Sequence, residues 1–164
     1  MKRKFFFLMF IALLTTGCTS SAIETTPPPR IDTGVDPESW ALIPAGEFLD
    51  DFSNHEIMVD YDYEMMVTDV TNGQYARYLN EAMETEVIKI VGEEVVGYYP
   101  GDIFRAYRHE EEIAAGDYIH IPLDGEWLRL DFDGTTFTAK PGYENHPMVS
   151  VTWFGAKSYC DFYS

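Results

Sequence analysis

The sequence predicts a mixed domain in which short strands accompany two amphipathic helices. Two segments, one around residue 78 and one around residue 159, carry apolar side chains at the i, i+3, i+4, i+7 spacing of a helix. Several short alternating or β-branched segments, separated by Gly, Pro and Asp-Gly turns, indicate strands and hairpins. The 164 residues, 46% of them hydrophobic, are sufficient for one domain with a core.

Residues 1–17 have the pattern of an export signal. Three basic residues, Lys2–Lys4, precede the apolar segment Phe5–Leu14, and small residues then lead to Cys18. The apolar segment is too short to span a bilayer, which takes roughly 20 residues. Small residues before a cysteine resemble the lipobox of bacterial lipoproteins, although Thr15 stands where a leucine is usual. We expect either lipidation of Cys18 or ordinary secretion with cleavage nearby, and in both cases a mature chain outside the cytoplasm.

The formal charge of −17 excludes some partners. Without residues 1–17 the chain keeps 8 of its 11 basic groups and all 28 acidic groups, so its charge becomes −20. Such a surface repels phosphate backbones and anionic headgroups. We therefore expect no nucleic-acid partner, and contact with a membrane through the lipid anchor alone. The expected location is the bacterial cell envelope, facing the periplasm or the cell surface.

Residues 18–39 are predicted to form a tether, and residues 40–164 the folded part. The tether is rich in Pro, Thr and Ser and cannot build a core. The folded part opens with Trp40–Phe48, a short predicted strand that Pro44 interrupts. Ile57–Met65 alternates in part, which would place Val59, Tyr61 and Tyr63 on one face and Asp60, Asp62 and Glu64 on the other.

The first helix has the clearest start signal. Thr71 and Gln74 have capping-box spacing, so each side chain can satisfy a free amide at the helix start. An apolar stripe follows, formed by Tyr75, Tyr78, Leu79 and Ala82.

The second helix is predicted to begin after Thr152 and to follow a strand over Met148–Trp153. Its stripe is Ala156, Tyr159, Cys160 and Tyr163, and it still continues at the last residue. We therefore expect the sequence to be the N-terminal part of a longer protein. Cys160 is expected to be buried on this stripe, the alternative being a disulfide with the missing portion.

Two hairpins are predicted between the helices. The strands 87–91 and 95–99 flank Gly92–Glu94, and the strands 126–132 and 135–140 flank Asp133-Gly134. The segment 102–115 is partly helical in pattern but acidic, and its structure stays open.

Three segments, in order, resemble the formylglycine-generating enzyme family, also called the sulfatase-modifying-factor domain. Ile43–Phe48 is similar to the family's Pro-x-Gly-x-Phe opening strand. Val67–Tyr75 is similar to its E-V-T-N-x-Q-Y helix start, with Asp69 in place of the glutamate. His146–Cys160 is similar to its H-P-V-x-x-V-[ST]-W-x-x-A-x-x-Y-C segment. The motif positions to which we give a structural role are Asn72, His146, Pro147, Trp153 and Cys160.

The resemblance implies an irregular, loop-rich α+β fold related to C-type lectins, incomplete here at its C-terminus. Catalytic members oxidise a cysteine of a client sulfatase to formylglycine with molecular oxygen, using a copper-binding cysteine pair in the C-terminal half. Those positions lie outside this chain, so no catalytic or cofactor-binding residue is assigned, and copper and calcium are expected only in a full-length protein. Other members are lipoproteins with structural or binding roles, which implies other envelope proteins or an exported sulfatase as partners.

No metal site is predicted from the remaining motifs. His109–Glu112 could bind a divalent ion, but a solvated acidic loop is the better interpretation. Asp131–Gly134 begins like a calcium loop and lacks the later ligands, so a turn explains it. Two hypotheses remain: a lipid-anchored binding or scaffold module, and the N-terminal part of a copper-dependent oxidase.

Overall fold

The computed structural model describes residues 27, 34–50, 55–106 and 109–164. The predicted export signal, Cys18 and most of the predicted tether lie outside these residues. None of the helices in the described ranges is long and apolar enough to cross a membrane.

Short strands and two helices make up the described part of the chain. In chain order they are β1 (Trp40–Ile43), β2 (Gly46–Asp50), β3 (His55–Val59), β4 (Tyr63–Met66), α1 (Asn72–Glu84), β5 (Ile88–Val91), β6 (Glu94–Tyr99), β7 (Asp102–Ala106), β8 (His109–Ile113), β9 (Gly116–Pro122), β10 (Leu130–Phe132), β11 (Phe137–Ala139) and α2 (Trp153–Phe162). All strand pairs are antiparallel: β1 with β4, β2 with β3, β7 with β8, β10 with β11, and β6 between β5 and β9. The predicted mixture of helices and short strands is confirmed.

Helix α1 forms as its start signal predicts. The Thr71 hydroxyl accepts a hydrogen bond from the Gln74 amide at 3.2 Å, and the Gln74 side chain accepts one from the Thr71 amide at 2.8 Å. Both halves of the capping box are therefore present. The apolar stripe is buried, as predicted, and supplies the centre of the core: Tyr75, Tyr78, Leu79 and Ala82.

Helix α2 also forms, but the face that it buries differs from the predicted stripe. Thr152 caps it, with its hydroxyl accepting from the Gly155 amide at 3.1 Å. Gly155 and Tyr159 are the buried residues, and Phe162 packs against the core, whereas Cys160 is exposed. The predicted burial of Cys160 is wrong because the buried line runs through positions 155, 159 and 162, and Cys160 lies beside this line, where it faces a surface groove.

The core lies where α1, α2 and the sheet of β5, β6 and β9 meet. Three tyrosine rings, Tyr75, Tyr78 and Tyr159, join the two helices, with ring centroids 5.2 to 5.8 Å apart. Val95 and Ile121 add apolar side chains from the sheet. The two helices are thus held together by aromatic contacts between residues about 80 positions apart.

The N-terminal strands are more divided than predicted. Pro44 lies between β1 and β2, which pair with different strands, because proline has no amide to donate to a continuous ladder. The segment predicted to alternate likewise divides into β3 and β4. The turn between these strands breaks the predicted alternation, and both tyrosines are exposed, Tyr61 to 65% and Tyr63 to 37%.

The central hairpins differ from prediction in one place. The hairpin of β5 and β6 is confirmed, with a two-residue turn in which Gly92 has a φ of 61°. Segment 102–115 is the hairpin of β7 and β8, so its partial helical pattern is misleading and His109–Glu112 lies on a strand instead of a loop. Gly101 permits this pairing: a Cβ there would lie 2.8 Å from the Ile113 carbonyl oxygen.

Two predicted strand regions are shorter than expected. β10 and β11 flank the four residues 133–136, in which the Asp133 carboxylate accepts hydrogen bonds from the amides of Thr135 and Thr136 at 2.9 and 2.8 Å. The predicted strand over 148–153 is wrong: Pro147 forms a single bridge to Thr71, and Ser150 has a φ of 64°, which is incompatible with an extended strand.

Candidate functional site

The first motif residue, Asn72, joins the start of α1 to a loop that precedes α2. Its side chain is fully buried. Its Nδ2 donates to the carbonyl oxygens of Tyr143 at 2.9 Å and His146 at 3.0 Å, and its backbone amide donates to the same His146 oxygen at 2.9 Å. The neighbouring Gly73 amide donates to the Glu144 carbonyl oxygen at 2.9 Å. Amides that an α-helix leaves unpaired at its N-terminus are here satisfied by a distant loop.

His146 and Pro147 take part in this junction through their backbones. Pro147 lies opposite Thr71, and the Met148 amide donates to the Val70 carbonyl oxygen at 2.8 Å. The His146 ring lies beside the Tyr143 ring, with centroids 5.3 Å apart. The second and third motif segments therefore meet in space, and their structural role is to hold α1 and the loop together.

Trp153, the fourth motif residue, lines an exposed cleft. It is the first residue of α2 and 57% of it is exposed. Its ring lies edge-on to Tyr99 and Phe154, with centroids 5.6 and 5.2 Å away. With Ile103 and Phe104 of β7 these rings form a cleft of about 420 Å³, called here the aromatic cleft. Among the described acids, Asp102 is the one at its edge.

Cys160, the fifth motif residue, lies at a second and larger depression. This acidic groove, about 590 Å³, runs between the β1–β4 sheet and α2, and its lining includes Trp40, Asp62, Glu64 and Tyr159. The thiol is free. A nucleophilic thiolate needs a nearby cation that is not already paired. Lys157, one turn away, is bound to Asp161 at 2.6 Å, so the surroundings of Cys160 supply no such cation from this helix.

One buried polar side chain, His120, was not identified from the sequence. His120 of β9 is 2% exposed, and its imidazole covers Gly97 of β6 so closely that a Cβ there would overlap the ring at Cε1. Burial lowers the pKa of His120. Burial likewise raises the pKa of Tyr75 above its ordinary value. The sequence feature that could have indicated the buried His120 is Gly97, since a glycine inside a strand often marks a place where another group lies close to the backbone.

No group of three or more His, Cys, Asp or Glu side chains that could hold a metal ion occurs within the described ranges. Asp131–Gly134 includes the turn after β10, where Asp133 binds backbone amides. The Asp133 carboxylate is exposed and accepts hydrogen bonds from nearby backbone amides. These bonds lower its pKa, and the one from the Thr136 amide contributes most. Asp133 therefore stabilises the turn between β10 and β11.

Pro37 and Glu38, inside the predicted tether, contact α1. Gln74 Nε2 donates to the Pro37 carbonyl oxygen at 3.0 Å, and Arg77 pairs with Glu38 at 3.2 Å. These contacts bring the segment before β1 to the edge of the acidic groove.

Small antiparallel sheets around two helices, with a buried asparagine joining two distant segments, define an irregular α+β domain. The family model of the sulfatase-modifying factor enzyme 1-like domain matches residues 28–164. The chain belongs to this family, which confirms the resemblance drawn from the three motif segments. No curated protein and no solved structure matches the chain.

Proposed function

We propose that this protein is an exported, lipid-anchored component of the bacterial envelope whose domain acts as a binding or scaffold module. The observation that most supports this proposal is where the five motif residues lie. Asn72, His146 and Pro147 hold loops together, whereas Trp153 and Cys160 line open depressions that expose aromatic and apolar surface. Exposed aromatic side chains in concave sites are typical of surfaces that bind partners.

Export and anchoring are supported by residues 1–18, with Cys18 as the lipidated position. Acyl chains on Cys18 would hold the protein at a membrane, because the charge of −20 that remains without residues 1–17 gives no attraction to anionic headgroups. The partners proposed are other envelope proteins or an exported sulfatase, and no nucleic acid.

The anchoring is tested by fractionation. We expect the wild-type chain to sediment with membranes and the Cys18→Ala chain to stay in the soluble fraction. Cys160→Ala is the matched control, because it removes the other cysteine and should leave the distribution unchanged. Membrane sedimentation of Cys18→Ala at the wild-type level would contradict lipid anchoring at this residue.

The second candidate is the copper- and oxygen-dependent oxidation of a sulfatase cysteine to formylglycine, which family membership favours. The described residues do not fit a copper–thiolate site: Cys160 is the one cysteine among them, and no metal-binding cluster accompanies it. A copper ion held by a pair of thiolates would therefore need at least one cysteine other than Cys160.

The two functions are separated by an activity measurement. With copper, oxygen and a peptide carrying a sulfatase cysteine motif, residues 1–164 are expected to form no aldehyde, as followed by hydrazide labelling and mass spectrometry. Aldehyde formation at a rate above that of the peptide alone would favour the oxidase. A reactive cysteine pair in the full reading frame of the gene would favour it as well.

A further inference from the structure

The acidic groove places exposed apolar side chains and carboxylates next to each other. One wall is a face of the β1–β4 sheet, because the register places Trp40 opposite Met66 and Leu42 opposite Glu64, and residues opposite each other share a face. The other wall is the last part of α2, which contributes Tyr159 and Cys160. The groove therefore combines apolar and aromatic side chains with polar ones, and the carboxylates of Asp62 and Glu64 lie on its sheet side.

The cation at this groove is already paired. Arg77 lies 3.2 Å from a Glu38 oxygen, and the same carboxylate accepts a hydrogen bond from Gln74 Nε2 at 3.1 Å. Glu38 and Arg77 thus offset each other. The remaining negative charge of the groove therefore comes from the two other acids that line it, Asp62 and Glu64.

Asp62 and Glu64 supply that remaining charge. Asp62 Oδ1 accepts a hydrogen bond from the Ala45 amide at 2.8 Å, which fixes the carboxylate at the end of the sheet. Neither acid forms an ion pair with another described residue. The groove therefore presents two uncompensated negative charges beside exposed rings, among them Trp40, which is 47% exposed.

We propose that the acidic groove binds a basic segment of a partner polypeptide, with an arginine or lysine side chain lying along Trp40 and its charged end at Asp62 and Glu64. The aliphatic stems of these side chains cover apolar surface while their charged ends stay at carboxylates. Cation–π attraction to Trp40 adds to the ion pairs. The proposal deepens the binding role proposed above by naming the partner's chemistry, and it does not depend on lipid anchoring.

Cys160 provides the measurement, because its exposed thiol lines the same groove. The 164-residue chain with Cys18→Ala has Cys160 as its single thiol. We expect a peptide of alternating Arg and Ala to slow iodoacetamide labelling of Cys160 in a saturable way. A peptide of the same length with Gln in place of Arg should leave the labelling rate unchanged.

Matched variants separate a built site from general attraction to an acidic chain. At an ionic strength of about 0.15 M, Asp62→Asn with Glu64→Gln should raise the Kd of the Arg peptide about tenfold. Glu93→Gln with Glu126→Gln removes the same charge elsewhere and should change the Kd less than about twofold, as expected for distant screened charges. Trp40→Leu should raise the Kd about threefold.

Three results would overturn the proposal: equal weakening by the two double variants, equal protection of Cys160 by the Gln peptide, or protection of Cys160 by self-association at increasing protein concentration. The membrane fractionation described above would be unaffected by any of them, so failure of the groove proposal and failure of the anchoring proposal are distinguishable.

Discussion

Asn72 binds the carbonyl oxygen of His146 twice, through Nδ2 at 3.0 Å and through its backbone amide at 2.9 Å. The two residues begin and end the long stretch that contains the central sheets. Their contact fixes the start of α1 against the loop before α2, so the position of the second helix depends on a buried amide side chain in the first.

Replacing Asn72 with Ala should destabilise the domain by about 2–3 kcal/mol, because the carbonyl oxygens of Tyr143 and His146 lose the Nδ2 donor, the His146 oxygen keeping only the backbone amide, and a small cavity is left. Urea unfolding followed by circular dichroism measures this change. Asn145→Ala is the control, since Asn145 is exposed in the same loop and should shift stability by less than about 0.5 kcal/mol. Equal effects of the two substitutions would argue against the junction.

Gly155→Ala should destabilise the domain by about 1–3 kcal/mol, although alanine favours a helix. A Cβ at Gly155 would lie 2.7 Å from the His120 carbonyl oxygen, a backbone atom that also accepts the Thr152 amide and cannot move freely. Thermal unfolding provides the measurement. Ala156→Ser, at the next and exposed position, serves as the control; a stabilising effect of Gly155→Ala would mean that α2 does not approach β9 so closely.

Stability should fall as the pH drops below about 6.5, the ordinary pKa of histidine. Burial lowers the pKa of His120 in the folded chain, so the unfolded chain binds more protons in this range, and protonation favours unfolding. Urea midpoints at pH 7.5 and pH 5.5 measure the loss. In His120→Gln the difference between the two midpoints should shrink; an unchanged difference would assign the pH dependence to other groups.

Cys160 should react with a thiol reagent in the folded state, at a rate within about tenfold of that in denaturant, since its side chain is exposed. The rate is measured by mass spectrometry on the Cys18→Ala chain, with Cys18→Ala, Cys160→Ser as the unlabelled control. Labelling that required denaturant would restore the expectation of a buried thiol.

Local signals predict α1 and its buried stripe because the capping box and the i, i+3, i+4 spacing lie within one segment. They predict the existence of α2 as well, but not its rotation, which a close contact between Gly155 and the His120 backbone decides. The hairpin of β7 and β8 is harder to predict, because the acidic sequence of β8 has low strand propensity and becomes a strand by pairing.

For the candidate sites too, the sequence predicts individual residues but not the contacts that bring them together. The resemblance to a family identified Asn72, His146 and Pro147 in sequence, but their joint role depends on a contact between distant segments. The acidic groove could not be predicted, because its sheet face and its helix come from opposite ends of the domain and no local pattern links Asp62 or Glu64 to Cys160.

The bond between Asn72 and His146 spans 74 positions of the chain. Closing so long a loop is entropically costly and must wait for the intervening strands to collapse, so this contact should form late in folding. Weakening it should therefore accelerate the unfolding rate and leave the refolding rate nearly unchanged, which makes Asn72 a determinant of how long the native state persists.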